Sequence, residues 1–170
     1  GTIYYTLDGS DPRLEEGLIN PSAIAISSGE AVALTTSGLV RVRARSGAVW
    51  SALEEASFYL EPLARPDDLR IEEVNYHPVP ATASERVAAA ALPVPKDLSN
   101  ADLFEFVEIR NVSASAVNLV GVTFSNGVAY TFGNMVLASG EYAVVVRDED
   151  AFAIRYPGVP ISGAFTGSLN

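Results

Sequence analysis

Between Gly38 and Ser46 the chain reads Gly-Leu-Val-Arg-Val-Arg-Ala-Arg-Ser, with apolar or small residues alternating with arginine. Successive side chains of a strand point to opposite faces, so this period of two predicts a strand with one buried face and its arginines in solvent. Around it, runs rich in β-branched and aromatic residues, separated by turn formers, predict further strands over 3–7, 31–35 and 56–60. A second series is expected at 69–75, 104–111, 120–124, 129–132 and 142–147. Short strands at this spacing point to all-β sandwiches or barrels.

Two stretches break the strand pattern. Residues 61–68, Glu-Pro-Leu-Ala-Arg-Pro-Asp-Asp, carry two prolines and no apolar period, so a short, stiff connection is expected there. It places a linker at 63–68 between modules at 1–62 and 69–170. Within 78–102, Ala-Thr-Ala-Ser-Glu-Arg-Val-Ala-Ala-Ala-Ala-Leu has helix-forming composition, and Thr82 and Glu85 are spaced as a capping box. One short helix over 82–92 in a long loop is the expectation, with a Pro-Val-Pro tripeptide keeping the chain extended on either side.

Composition narrows the function classes. Apolar residues make up 48% of the 170, which predicts a folded core rather than a disordered chain. Acidic residues outnumber basic ones 21 to 11, so a basic surface for nucleic acid is not expected. The absence of cysteine removes disulfides, thiolate metal sites and cysteine nucleophiles. No apolar run is long enough to cross a bilayer, and no membrane insertion is expected. The chain opens on Gly1-Thr2-Ile3-Tyr4-Tyr5, already strand-like, as though cut from something longer.

Candidate chemistry is sparse. His77 is the sole histidine, and no Gly-x-Ser-x-Gly elbow accompanies it, so Ser-His catalysis has little support. Carboxylates pair at Glu72/Glu73, at Glu105/Glu108 and in Asp148-Glu149-Asp150. Adjacent strand positions oppose one another, so Glu72 and Glu73 should not converge, and 148–150 reads as a solvated turn. No catalytic residue is nominated, and the chain is not expected to be an enzyme.

Trp50 sits beside a turn and is either a closing core residue or a stacking platform for a sugar or a partner. Tyr4 and Tyr5 point to opposite faces of one strand, so one ring is free to join that platform. Asp8-Gly9-Ser10-Asp11-Pro12 is a turn sequence; Asp8 and Asp11 are also the only calcium candidates, short of the roughly six to eight oxygens calcium takes. No other cofactor is expected. Asn111-Val112-Ser113 is a formal glycosylation sequon.

The stretch Ile3-Tyr4-Tyr5-Thr6-Leu7-Asp8-Gly9-Ser10-Asp11-Pro12 resembles the chitobiase or β-hexosaminidase C-terminal type of module, with the arginine strand, Gly47 and a closing strand near Tyr59 also fitting. Family modules usually carry one more strand before the Tyr-Tyr run. The second half resembles a lamin tail domain, an immunoglobulin-like sandwich found in large secreted bacterial proteins. The residues that carry this are Ile71-Glu72-Glu73-Val74-Asn75-Tyr76-His77-Pro78, Glu105-Phe106-Val107-Glu108-Ile109-Arg110-Asn111 and Asn118-Leu119-Val120-Gly121-Val122. Tyr130-Thr131-Phe132, Leu137-Ala138-Ser139-Gly140-Glu141-Tyr142-Ala143-Val144-Val145 and Gly163-Ala164-Phe165-Thr166-Gly167-Ser168-Leu169-Asn170 continue it.

The sequence departs at Val122, where an aromatic is usual, and stops where the family pattern continues. The resemblance implies that Val107 and Ile109 face the core, with Phe106 partly covered from the other side. The fold expected is two immunoglobulin- or fibronectin-like β-sandwich modules in tandem, clipped at both ends, with edge strands open to self-association. The function implied is that of a non-catalytic accessory pair in an extracellular or cell-envelope bacterial protein. Such a pair would space, anchor or present the other domains of its parent, its expected partners. The alternative is a module binding carbohydrate, or a protein or glycan at the cell surface.

Overall fold

The computed structural model describes residues 1–169, and the chain divides into two compact units, Gly1–Glu61 and Pro62–Asn170. Asn170, the last residue of the closing stretch quoted above, lies outside the described residues. The described residues form mostly strands in several sheets, with two short α-helices among them.

In the first unit, β1 (Thr2–Thr6), β2 (Ile24–Ile26), β3 (Gly38–Ser46), β4 (Val49–Trp50) and β5 (Glu54–Phe58) form one sheet. β1 lies between β2 and β3, and β4 and β5 both pair with the far side of β3. All the pairings are antiparallel, so directly opposed residues share a face. Ile3 stands between Ile26 and Ala44, Tyr5 between Ile24 and Val42, and Val40 opposite Ala56. One face is therefore apolar, and the other carries Tyr4, Trp50 and the three arginines.

The arginines do not project into solvent as expected. Arg43 forks onto Asp11, with Nε–Oδ1 at 2.8 Å and Nη2–Oδ2 at 2.7 Å, and Arg41 bonds Glu55 and the Gly9 carbonyl. The strand expected at 31–35 is not formed either. The loop after β1 folds back on itself, with Asn20 bonding Ser10 and the Asp11 carbonyl, and delivers Ile24–Ile26 to the edge of β1 instead. Strand composition favours a pleated, half-buried surface, but a ladder also needs an open neighbour.

In the second unit, β6 (Leu69–Asn75) is followed by α1 (Ala83–Ala90), then β7 (Phe106–Asn111), β8 (Val117–Asn118), β9 (Thr123–Phe124) and β10 (Val128–Thr131). β11 (Val136–Leu137), β12 (Tyr142–Val146), α2 (Glu149–Arg155), β13 (Gly163–Ala164) and β14 (Thr166–Gly167) complete it. The main sheet runs β13-β12-β7-β6, parallel only between β12 and β13; β8 pairs with β11, and β10 lies between β9 and β14. Val107 and Ile109 of β7 and Ala143 and Val145 of β12 share a core with Val117, Leu119, Val128, Phe132 and Leu137.

The opposite face of β7 and β12 is covered as well. Phe106, Val144 and Val146 pack with Phe152, and the Phe106 ring meets Phe152 and Tyr156 edge-on at 5.4 and 5.7 Å. Burial on both faces explains why the apolar residues of this strand keep no single parity. Phe106 is thus fully buried rather than partly covered.

α1 forms as its composition implies: Thr82 accepts from the Glu85 amide, and Glu85 accepts from the Thr82 amide, each filling an orphan donor of the first turn. α2 overturns the reading of 148–150 as a solvated turn. Asp148 is its N-cap, accepting from Ala151 N, and Glu149 and Asp150 sit in the first turn where the helix dipole favours anions. Ala151 and Phe152 anchor the helix inside. Phe104, expected in a strand, closes a single 3-10 turn over Ala101–Phe104 and packs with Ala81, Ala89, Leu98 and Ala151.

Candidate functional site

The first unit contributes no hydrophobic residue to any buried cluster, although one face of its sheet is apolar. That face lines a groove of about 730 Å³. Ile3, Tyr5, Val40 and Val42 form its floor, Ala56 and Phe58 of the edge strand β5 one wall, and Val32 and Leu34 of the unpaired 31–35 segment another. Phe58 remains 47% exposed and Leu60 51%, so apolar side chains stand open to an incoming group. Among the described residues, the ionisable side chains besides Tyr5 that reach the groove are Glu30 and Glu54; Glu55 turns to the opposite face, where it pairs with Arg41.

Tyr5 belongs to this groove, whereas Tyr4 lies on the other face beside Trp50, with ring centroids 5.5 Å apart. Trp50 donates its indole N–H to the Gly17 carbonyl at 2.9 Å, and the Arg45 guanidinium lies 5.2 Å from its ring centre. Tyr4 and Tyr5 thus lie on opposite faces, as the alternation implied, and Tyr4 is the ring that joins Trp50. Trp50 and Tyr4 are already engaged within the unit, and their remaining exposure is partial.

Asp8 and Asp11 are both strong carboxylates, but for internal reasons. Ser10 donates from its hydroxyl and its amide to Asp8, holding that carboxyl down at about 2. Asp11 also falls to about 2, chiefly through Arg43, whose fork takes both of its oxygens. A bound guanidinium puts positive charge where a calcium ion would have to sit. Among the described residues, no three of Asp, Glu and His are grouped to hold a metal ion.

The other candidate residues belong to the second unit. His77 is exposed, its ring near that of Tyr76. Glu105 is buried, with Oε2 accepting from Arg147 at 3.0 Å and from the Leu169 amide at 3.3 Å, while its strand neighbour Glu108 faces the opposite way. Glu72 and Glu73 do converge, contrary to the alternation argument. A register shift between Ile71 and Glu73 breaks the period, so Glu73 stands opposite Glu108, and both Glu72 and Glu73 act on it. Burial, then Glu73 and Glu72, pushes the Glu108 carboxyl up. Asn111 of the sequon is wholly buried, donating to the Leu137 and Ser115 carbonyls and accepting from Ser113, so the folded chain offers no glycosylation site there.

Sequence reasoning did not nominate Val32, Leu34, Val42 or Phe58 for a site. The signal was present in the alternation over 31–35 and 39–45, where apolar side chains at every second position needed a covering layer. No family model matches the chain, and neither does any curated protein or solved structure.

Proposed function

We propose that the chain is a non-catalytic accessory pair of modules, immunoglobulin- or fibronectin-like in fold, that spaces, anchors or presents the other domains of a secreted or cell-envelope bacterial protein. One observation carries this reading: the closest charged pairs hold elements of the fold together. Arg43 clasps Asp11, Arg155 clasps Glu85, Arg147 meets Glu105, and Lys96 bridges Asp148 and Asp150. A reactive site instead requires an acid, a base or a nucleophile left free to face a substrate. The groove offers apolar side chains with a carboxylate beside them, which is chemistry for docking rather than turnover.

The test is replacement. Exchanging the chain, within its parent protein, for an unrelated β-module of similar end-to-end span should leave the parent's activity intact. Loss of that activity, with expression unchanged, would remove the proposal.

A second reading, carbohydrate or cell-surface binding, draws on the Tyr4–Trp50 pair beside Arg45. Glycan-array binding by the intact chain that vanishes in Tyr4→Ala, with the fold retained, would favour it.

A further inference from the structure

Residues 31–35, Ala-Val-Ala-Leu-Thr, have strand composition and yet no ladder; their backbone joins no hydrogen bond among the described residues. Val32 and Leu34, two positions apart, both reach the groove, the spacing of an extended run that turns one edge of side chains inward. Across from them lies the apolar sheet face. A sheet with one greasy face is stable when a second layer covers it, and here that layer amounts to one unpaired run.

The charges beside the groove select what fits. The carboxylates of Glu30 and Glu54 line it, and among the described residues no lysine or arginine does. Glu30 accepts from the Ser27 amide, but the Glu54 carboxylate has no partner among the described residues. A second copy of the chain would bring a second set of these carboxylates against the first. A small apolar ligand would use neither the carboxylates nor the free backbone groups of 31–35.

We infer that the groove is a docking site for an extended segment of another polypeptide, with apolar side chains at alternate positions and lysine or arginine at its ends. The segment pairs its backbone with residues 31–35, lays its apolar side chains between Val32, Leu34, Val42 and Phe58, and brings a cation to Glu54. Main-chain pairing supplies register, and the carboxylates set direction and partner choice. The inference deepens the accessory reading by naming the chemistry of what the module holds.

The experiment is a titration of the intact chain with the synthetic peptide Lys-Val-Thr-Val-Thr-Val-Thr-Lys, followed by nuclear magnetic resonance. Saturable shifts centred on Val32, Leu34 and Val42 are expected. Phe58→Ser, at a half-exposed position, should weaken binding about ten-fold, as should N-methylation of alternate peptide amides, which leaves the protein untouched. Glu54→Gln should weaken it several-fold and reduce its salt dependence. Three results would overturn the inference: no saturable binding, binding indifferent to N-methylation, or a homodimer in sedimentation that Phe58→Ser dissolves. A module swap that spares the parent's activity alongside absent peptide binding would sink the docking site and leave the accessory reading standing.

Discussion

Arg155 of α2 grips Glu85 of α1 across 70 residues of chain, with Nε–Oε1 at 2.7 Å and Nη2–Oε2 at 3.1 Å. The same guanidinium accepts a place 3.4 Å from the Phe104 ring centre and donates to the Val79 carbonyl at 3.0 Å. One side chain thus ties together both helices, the loop before α1 and the 3-10 turn. Arg155→Met keeps the aliphatic packing and removes the fork, leaving Glu85 partly buried with only the bonds of its cap. The expected cost is about 2–3 kcal/mol in urea unfolding; an unchanged midpoint would mean the clasp is ornamental to stability.

The same pair sets an acid response. Arg155, working against burial, holds the Glu85 carboxyl down at about 2 from an ordinary value near 4.5. A carboxylate depressed by folding stabilises the native state above its unfolded value, and that contribution is lost as pH falls through the folded one. Between pH 4.5 and about 2 the native chain should lose stability more steeply than Arg155→Met, whose Glu85 titrates closer to its unfolded value. Parallel curves from thermal melts across that window would contradict the assignment.

Glu108 has the opposite sign. Its carboxyl is raised by burial and by Glu73 and Glu72, so its ionised form destabilises the native state once pH exceeds the unfolded value. Glu108→Gln should therefore stabilise the protein by a few tenths of a kcal/mol at neutral pH. The gain should disappear below about pH 4, where the native residue is itself protonated. Destabilisation at neutral pH would show that Glu108 has a favourable partner after all.

Asn111 fills a pocket of carbonyls, with both amide hydrogens placed on Leu137 and Ser115 at 2.8 Å. Asn111→Ala removes both of these hydrogen bonds, the one to Leu137 from a buried site, and should cost about 2–4 kcal/mol. Secretion from a glycosylating host should yield chain of unaltered mass; a glycosylated product would require the residue to be accessible before or after folding.

Much of the architecture was legible where composition and period point the same way. Gly38–Ser46 and Leu69–Asn75 are strands over the residues expected of them, and the capping box marked the start of α1. The failures have specific causes. α2 has only seven residues, and its N-terminal acids, which stabilise a helix end, look the same in sequence as a solvated turn. The convergence of Glu72, Glu73 and Glu108 depends on a bulge, which alternation cannot reveal. The groove was hidden because 31–35 has the composition of a paired strand; what distinguishes it is the lack of a neighbour, a property of the tertiary arrangement.

Trp50 illustrates a choice the sequence left open. Its indole N–H on Gly17, its contact with Tyr4 and the Arg45 guanidinium over its ring all predict a structural cost on removal. Trp50→Ala should destabilise the first unit by about 1–3 kcal/mol. Loss of glycan binding at full stability would instead make the ring a contact for ligands.

The bulge in β6 has a bearing beyond the three glutamates it gathers. β6 is one border of the main sheet and β13, only two residues long, is the other. A kinked, acidic margin and a stub are poor templates for polymerisation, since a growing fibril needs a long, flat, uncharged rail. At high concentration, intermolecular growth should therefore not start from the main sheet of the second unit.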